Sequence, residues 1–252
     1  MLRVYLSGQI VVEGPGARLE PKDFPGRQGR EVFAYFVIRH GFPVAHGELA
    51  SAVWGDAPPA SADAALRSIV SKLRKQFARV GLDGATTLRS AQGCYELWLP
   101  PDTWIDHSVA FNGVHEAEAA LEGGDHRAAF GPSAIARHIC QRPFLPGNDA
   151  EWVEVRRQKL QRTLVRALEC RARVYLWNQE YPLAIEAARE ATALEPFRES
   201  AHRFLMRAHA AAGNTAEALR VYEECRRFIA DELGVPPSVE TRQAHAEILK
   251  GL

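Results

Sequence analysis

The chain has 252 residues, of which 46% are hydrophobic and 25% charged, and its 31 Lys and Arg residues balance its 31 Asp and Glu residues. This composition is typical of a globular protein with one large or two modest domains. No stretch approaches the run of about 18 apolar residues that a membrane-spanning helix needs, so we expect no membrane partner and a cytoplasmic location.

The N-terminal region shows strand patterns first and helical patterns afterwards. Apolar and polar residues alternate in LRVYLSGQIVVEG, and ARLEP follows a Gly-Pro-Gly turn, which predicts a small antiparallel sheet. Helical spacing in REVFAYFVIRHG predicts a first helix that begins at Arg30 and stops at Gly41. HGELASAVWG predicts a second helix that ends at Gly55, and after a Pro-containing loop Ser61 or Asp63 is the natural N-cap of a third.

The third helix, ALRSIVSKLRKQF, has two separate faces. At about 100° per residue, its apolar residues fall within one arc; they are Leu66, Ile69, Val70, Leu73 and Phe77. The opposite side carries Arg67, Ser71, Lys72, Arg74 and Lys75, and no Asp or Glu occurs between Ala64 and Val80. A solvated helix face usually mixes the two signs, because Glu and Lys four residues apart stabilise the helix. The pattern therefore favours a helix whose negative partners are nucleic-acid phosphates, and the short Ser68 and Ser71 would let its backbone approach base edges.

A hairpin is predicted after this helix. TTLRSAQGCYELWLP indicates two short strands around a turn at Ser90 to Gly93. Strands, three helices and a hairpin, in that order, are typical of a winged helix with an extra N-terminal sheet, in which the third helix enters the major groove. We therefore predict an α+β winged-helix DNA-binding domain over residues 1–104.

The second half of the chain has almost entirely helical patterns, including a long helix over about 151–177. NQEYPLAIEAAREATALEP shifted by 34 positions falls on AGNTAEALRVYEECRRFIA, so that Ala184 matches Ala218. A period of 34 is that of the tetratricopeptide repeat. GGDHRAAF near Gly124 has a similar start at an irregular spacing. We predict an all-α tetratricopeptide-like helical repeat domain of about three units over residues 105–252.

Motifs of enzyme and metal chemistry are missing from the sequence. It contains no GxxxxGK[ST] phosphate loop and no GxSxG elbow, and HEAEA has Ala119 where a zinc-binding HExxH motif needs its second His. The four cysteines form no CxxC pair and are predicted to be buried free thiols. We expect no catalytic residue, no metal and no cofactor, and therefore no enzyme.

Several of these motifs together resemble a known family. LRSIVSKLRKQF, preceded by LASAVWGDAPPASADAA and followed by LRSAQGCYELWLPPDTWID, resembles the OmpR-like winged-helix domain of the antibiotic regulatory (SARP) transcriptional activators. RPFLPGNDAEWVEVRRQKLQRTLVRALE and the residues through ESAHRFLMRAHAAAGNTAEALRVYEECRRFIADELGVPPSVET resemble their bacterial transcriptional activation domain, which is tetratricopeptide-like. The resemblance extends over essentially the whole chain.

The resemblance implies an activator that self-associates on direct repeats in double-stranded promoter DNA. It also implies that this activator recruits RNA polymerase holoenzyme, through the sigma factor and other subunits of the polymerase. The regulated genes would belong to a secondary-metabolite or other pathway cluster. The resemblance assigns recognition-helix contacts to Arg67, Ser71, Lys72, Arg74 and Lys75, and wing contacts to Arg89, Ser90 and Gln92. It places phosphate contacts at Arg27 and Arg30, before the first helix. It assigns the polymerase contact to Trp54, Gly55, Asp56, Ala57, Pro58 and Pro59, although a Trp at a helix end, such as Trp54, is more often part of the core.

A second interpretation remains open on the sequence alone. The helical repeats could form a protein-interaction scaffold, with the basic helix merely solvated and no sequence-specific DNA binding. The two interpretations differ in whether the chain binds promoter DNA at all. The sequence names no small effector for the repeat domain.

Overall fold

A computed structural model describes residues 1–251 and divides the chain into two compact units. The first unit contains Met1–Val109 and Arg142–Lys159, and the second contains Ala110–Gln141 and the described residues from Leu160 onwards. This division differs from the predicted cut after residue 104 in two respects. The first boundary falls after Val109, and residues 142–159 return to the first unit.

The strands are β1 (Arg3–Tyr5), β2 (Val11–Gly14), β3 (Ala17–Leu19), β4 (Val44–Ala45), β5 (Leu88–Ala91), β6 (Cys94–Leu97) and β7 (Trp104–Ile105). The helices are α1 (Gly26–Ile38), α2 (His46–Trp54), α3 (Ala62–Arg79), α4 (Gly84–Thr87), α5 (Asp106–Glu122), α6 (His126–Cys140), α7 (Glu151–Trp177), α8 (Tyr181–Leu194), α9 (Glu199–Ala211), α10 (Thr215–Leu233) and α11 (Val239–Lys250). The long α7 has the predicted bounds, whereas α1 begins earlier than the predicted Arg30.

The N-terminal sheet has four strands in the order β3-β2-β1-β7. Strand β2 pairs antiparallel with both β1 and β3, as the alternating pattern predicts. Strand β7 pairs parallel with β1, with Val4 opposite Ile105. A strand of two residues has too short a pattern to be recognised in a sequence, so β7 was not predicted.

Three helices and a second sheet complete the winged-helix part of the first unit. Helices α1 and α3 pack through Phe33 and Phe77, whose ring centroids lie 6.1 Å apart. Strands β5 and β6 form the predicted hairpin, and β4 pairs with β6 to make the sheet three-stranded. The hairpin turn has positive φ at Gln92 (50°) and Gly93 (74°), as in the two-residue turns that match strand twist.

Residues 142–159 pack against residues 1–109 of the first unit through specific contacts. The Gly8 amide donates to the Pro143 carbonyl at 2.7 Å, and Ser7 forms an antiparallel bridge with Phe144, which is buried. The Trp152 indole N–H donates to the Ala52 carbonyl at 2.9 Å. The sequence indicated only a Pro- and Gly-containing break here, since contacts between residues about 100 positions apart leave no local pattern.

A buried polar cluster joins the end of β1 to the start of α5. The Asp106 carboxylate accepts hydrogen bonds from the backbone amides of Leu6 and Ser7 at 2.8 and 2.9 Å. His107 Nε2 lies 3.0 Å from Ser7 Oγ, and its Nδ1 accepts a bond from Arg156 Nε at 3.1 Å. Burial, aided by Arg156, lowers the pKa of His107 to about 3, so this imidazole is a neutral structural group.

The second unit repeats one turn three times. Each turn has one residue of positive φ, namely Gly124, Gln179 and Gly213. The next residue donates its amide to the carbonyl five positions earlier, in the pairs Asp125 to Ala120, Glu180 to Tyr175 and Asn214 to His209. Helices α6, α8 and α10 begin directly afterwards, and each buries an alanine at the same position: Ala129, Ala184 and Ala218. The starts of α8 and α10 have the predicted spacing of 34, and the predicted tetratricopeptide-like fold is confirmed.

Small residues and ion pairs stabilise the repeat unit. Ala117, Leu121 and Ala129 pack with Cys170 and Val174 in one buried cluster from α5, α6 and α7. Alanine at such positions lets helices approach closely. The Arg166 guanidinium donates to Glu118 at 2.7 Å and that of Arg198 to Glu169 at 2.9 Å. Alanine packing and charge pairing therefore both contribute to the contacts within the repeat unit.

No helix within residues 1–251 has the length and apolar character required to cross a membrane. The same residues contain no group of three or more His, Cys, Asp or Glu side chains placed to hold a metal ion. All four cysteines are free thiols, and Cys94 is only half-buried, whereas Cys140, Cys170 and Cys225 are buried as predicted.

Candidate nucleic-acid interface

Helix α3 presents the two faces that its sequence predicts. The apolar residues Leu66, Ile69, Val70, Leu73 and Phe77 are all buried. On the other side, Arg67, Ser68, Ser71, Lys72 and Lys75 are exposed. The buried stripe fixes the helix in the first unit, because burying side chains of this size stabilises each by about 1.5–3 kcal/mol.

The exposed cations of α3 lack acidic partners over the middle of the helix. Among the described residues, none of Arg67, Lys72 and Lys75 has a carboxylate within 4.0 Å. Acidic groups occur only at the two ends, where Asp63 lies in the first turn and Arg79 pairs with Asp23 at 2.8 Å. A hydrogen bond from the Glu20 backbone, assisted by one from Arg79, holds the pKa of Asp23 below its usual range. The middle of α3 is therefore a uniformly positive surface.

Arg74 differs from the other cations of this face. It is half-buried, and its Nε donates to the Leu88 carbonyl at 2.9 Å. Tyr95 of β6 lies nearby: burial raises the pKa of its hydroxyl, while the positive charges of Arg74 and Arg67 act in the opposite direction. Arg74 thus connects the helix to the first residue of the hairpin.

The predicted wing residues are all in or next to the turn end of the hairpin. Arg89, Ser90 and Gln92 are all exposed. Arg89 Nε donates to the Thr86 carbonyl at 3.0 Å, and its guanidinium carbon lies 5.0 Å from the centroid of the Trp98 ring. Trp98 was not predicted as part of the wing, and its position just after β6 is the only sign of this role in the sequence. Stacking on this ring orders the Arg89 side chain.

Arg27 and Arg30, the predicted phosphate contacts, make bonds within the first unit. Arg27 is exposed and donates to the Glu31 carboxylate and to the Gly147 carbonyl, both at 2.7 Å. Arg30 is half-buried and donates to the Pro21 carbonyl at 3.2 Å. Because Arg27 is paired with Glu31, it is less available to a phosphate than the unpaired cations of α3.

The predicted polymerase-contact loop follows α2. Gly55, Asp56, Ala57, Pro58 and Pro59 are exposed, whereas Trp54 is half-buried and so only partly available to a partner. Gly55 has φ 71°, and its amide donates to the Ser51 carbonyl at 2.8 Å, which ends the helix. The bond from Trp152 to the Ala52 carbonyl fixes the last turn before this loop.

Comparison with known proteins identifies the family of the chain. A family model described as the bacterial transcriptional activator domain matches residues 105–249, more than half of the chain. The chain belongs to this family. Residues 1–104, which carry the positive surface of α3, precede the matched activator domain.

Relatives of this activator family extend the similarity to the first unit. Regulatory protein AfsR of Streptomyces coelicolor is 32% identical over 223 residues, which are 88% of this chain but 22% of AfsR. Regulatory protein DnrI of Streptomyces peucetius is 24% identical over 256 residues, covering 99% of this chain and 92% of DnrI. The structure of Mycobacterium tuberculosis EmbR in complex with a low affinity phosphopeptide matches with a TM-score of 0.85 and 27% identity, over 99% of this chain and 65% of EmbR. The chain thus spans less than a quarter of AfsR and about two thirds of the EmbR chain.

These matches confirm the resemblance to SARP-type transcriptional activators and the combination of an α+β first unit with a tetratricopeptide-like second one. The relatives are regulators of transcription rather than enzymes. Which residues contact DNA or polymerase stays a prediction.

Proposed function

We propose that the chain is a sequence-specific DNA-binding transcriptional activator in which α3 enters the major groove. The observation that carries this proposal is the exposed middle of α3, where Arg67, Lys72 and Lys75 have no carboxylate within 4.0 Å among the described residues. A cation that replaces counterions on a phosphate adds to affinity only if no protein acid already neutralises it.

Base recognition requires the helix backbone to come close to the groove floor. Ser68 and Ser71 are exposed between the long basic side chains and leave the backbone accessible. An arginine at this surface can bond a guanine bidentately, whereas lysines contact phosphates as point charges. Arg67 is thus the proposed base-reading residue, and Lys72 and Lys75 the proposed phosphate contacts.

The wing provides a second contact beside the groove. Arg89 is ordered by its bond to Thr86 and by the Trp98 ring, so little side-chain entropy is lost when it binds DNA. Ser90 and Gln92 of the same hairpin are also exposed. We assign Arg89, Ser90 and Gln92 to the flanking DNA.

Activation requires a second partner besides DNA. We assign direct-repeat binding to paired protomers and assign the polymerase contact to residues 55–59, an exposed segment whose two prolines restrict its shape. Support comes from the SARP family relationship and from the exposure of these residues. RNA polymerase holoenzyme, including its sigma factor, is the proposed partner.

DNA binding is tested with the full chain and a library of randomised duplexes. We expect selection to enrich a direct repeat, and affinity for the enriched duplex to fall by roughly a thousandfold between 50 and 200 mM salt if a pair of protomers neutralises about six phosphates. Lys72→Ala with Lys75→Ala is expected to weaken binding to that duplex, and Arg220→Ala with Arg226→Ala on α10 is the matched control. No enrichment, or an affinity independent of salt, would support the scaffold interpretation instead.

The polymerase contact is tested by transcription in vitro from a promoter containing the enriched repeat, with bacterial RNA polymerase holoenzyme. Asp56→Ala combined with Pro58→Ala and Pro59→Ala is expected to abolish activation without changing DNA affinity. Glu232→Ala, an exposed acidic residue of the second unit, serves as the control. Full activation by the loop variant would contradict the assignment.

A further inference from the structure

We infer that Arg74 is a positioning residue, which fixes the β5–β6 hairpin against α3 so that the wing and the recognition helix engage DNA with a set spacing. The effect on DNA contact rests on the proposed DNA-binding function. The restraint of the hairpin by Arg74 is a property of the free protein. This role separates Arg74 from the other α3 residues assigned to DNA, which are exposed.

The side chain of Arg74 contacts the hairpin directly. Its Nε donates to the Leu88 carbonyl at 2.9 Å. Leu88 is completely buried and pairs with Leu97 at the base of the hairpin. A charge-assisted bond to a residue held this firmly restrains the whole hairpin, because the two strands are joined from this base to the turn.

The backbone of Arg74 contacts α4, the short helix that leads into the hairpin. A Cβ added to Gly84, the first residue of α4, would lie 2.2 Å from the Arg74 carbonyl oxygen and 2.8 Å from its Cα. Both atoms are backbone, so no side-chain rotation relieves such a clash. Glycine at position 84 therefore lets α4 pack directly on the backbone of α3.

Helix α4 is hydrogen-bonded to both arms of the hairpin and so restrains them. The Thr86 carbonyl accepts the bond from Arg89 Nε of β5 at 3.0 Å. The Thr87 carbonyl accepts the Trp98 amide, just after β6, at 2.7 Å. The Asp83 carboxylate caps α4 by accepting the Thr86 amide at 2.8 Å. Arg74 and α4 thus pack closely through their backbones, and each is joined to the hairpin by hydrogen bonds.

The variant Arg74→Lys separates the effect of the hydrogen bond to Leu88 from the effect of the positive charge at position 74. Lysine keeps the positive charge but lacks the Nε–H of the guanidinium, so it cannot reproduce this bond. Gly84→Ala tests the same restraint from the other side without changing any charge. Arg220→Lys on α10 is the control for exchanging one cation for another at an exposed site, and Gly47→Ala is the control for adding a methyl, since nothing lies within 4 Å of a Cβ there.

Two measurements on the full chain test the inference. The first is amide hydrogen exchange of residues 88–97 in the free protein. We expect Arg74→Lys and Gly84→Ala to accelerate exchange in the hairpin more than in α1 and α2, with both controls unchanged. Unchanged hairpin exchange in the two variants would overturn the inference whether or not the chain binds DNA.

The second measurement is hydroxyl-radical footprinting on the enriched duplex, with affinity measured over a salt series. We expect both variants to lose protection of the flanking nucleotides, to keep the central protection, and to bind about threefold to tenfold more weakly at an unchanged salt slope. Retained flanking protection would refute the positioning role. If the wild-type chain binds no duplex, the proposed function fails and hydrogen exchange alone decides about Arg74.

Discussion

Helices α3 and α10 have 18 and 19 residues and each buries one apolar stripe, but their exposed faces are organised differently. On α10, Arg220 lies 2.7 Å from Glu217 and Arg226 lies 2.9 Å from Glu223. In the middle of α3 the described residues offer the cations no such partner. Pairs of this kind stabilise a helix by about 0.2–0.5 kcal/mol each. Helix α10 thus pairs these two cations with its own acids, whereas α3 leaves its cations available to an anionic partner.

The first prediction separates the two faces of α3. Leu73 is completely buried, so Leu73→Ala should destabilise the first unit by about 3 kcal/mol, because apolar burial is reduced and a cavity forms. The adjacent Lys72→Ala should change stability by less than about 0.5 kcal/mol. Urea unfolding followed by tryptophan fluorescence measures both. Similar destabilisation in the two variants would contradict the assignment of faces.

The second prediction gives α3 the charge pattern of α10. Ser68→Glu and Ser71→Glu place acids four residues before Lys72 and Lys75, the favourable order for helix pairs. Helix stability should rise by a few tenths of a kcal/mol, while DNA affinity should fall at least tenfold because the new acids face phosphates.

The control for the second prediction is Ser68→Gln with Ser71→Gln, which adds similar bulk without charge. Affinity of each variant for the enriched duplex is measured by fluorescence anisotropy. If the Glu and Gln variants bind equally, steric exclusion rather than charge limits the surface.

The third prediction concerns acidification of the repeat unit. A hydrogen bond from Arg166 lowers the pKa of Glu118. Stability from this pair is present above the unfolded pKa and is lost as pH falls through the lower folded pKa. Glu118→Gln should remove this part of the pH dependence, about 1 kcal/mol or less because the side chain is one-third exposed.

Thermal unfolding between pH 7 and pH 3 checks the third prediction. Glu116→Gln, on the exposed side of the same helix, is the control and should leave the pH profile unchanged. An equal effect of both variants would contradict a specific contribution from Glu118.

The fourth and smallest effect is expected on α10. Arg226→Ala removes an exposed cation that is already paired with Glu223, so its affinity for DNA should stay within about twofold of the wild type. Anisotropy titration against the same duplex measures this. A decrease comparable to that of Lys72→Ala would mean that total charge, rather than unpaired charge, determines binding.

The elements with strong local patterns could be predicted from the sequence. The apolar stripe of α3, the bounds of α7 and the spacing between α8 and α10 all follow from helical periodicity. The turn at Gln179 illustrates a limit, because glutamine rarely has positive φ and only its equivalence to Gly124 and Gly213 explains the conformation.

Contacts between distant residues could not be predicted. The two-residue strand β7, the packing of Phe144 and Trp152 on the first unit, and the bond between Arg74 and Leu88 all depend on the folded chain. The sequence shows which residues of α3 are basic, but residue type alone does not distinguish the exposed Lys72 from the half-buried Arg74. It also does not show that Arg27 is paired with Glu31.

The salt dependence of DNA affinity tests the role of the unpaired cations most directly. The measurement compares the full chain with the variant Arg67→Ala, Lys72→Ala, Lys75→Ala on the enriched duplex from 50 to 200 mM salt. If Lys72 and Lys75 lie on phosphates, the slope of log affinity against log salt should become shallower by about 0.9 for each phosphate that the variant no longer neutralises, that is, for about two phosphates per protomer. Parallel lines for the two proteins would contradict the proposal that α3 is the DNA-binding surface.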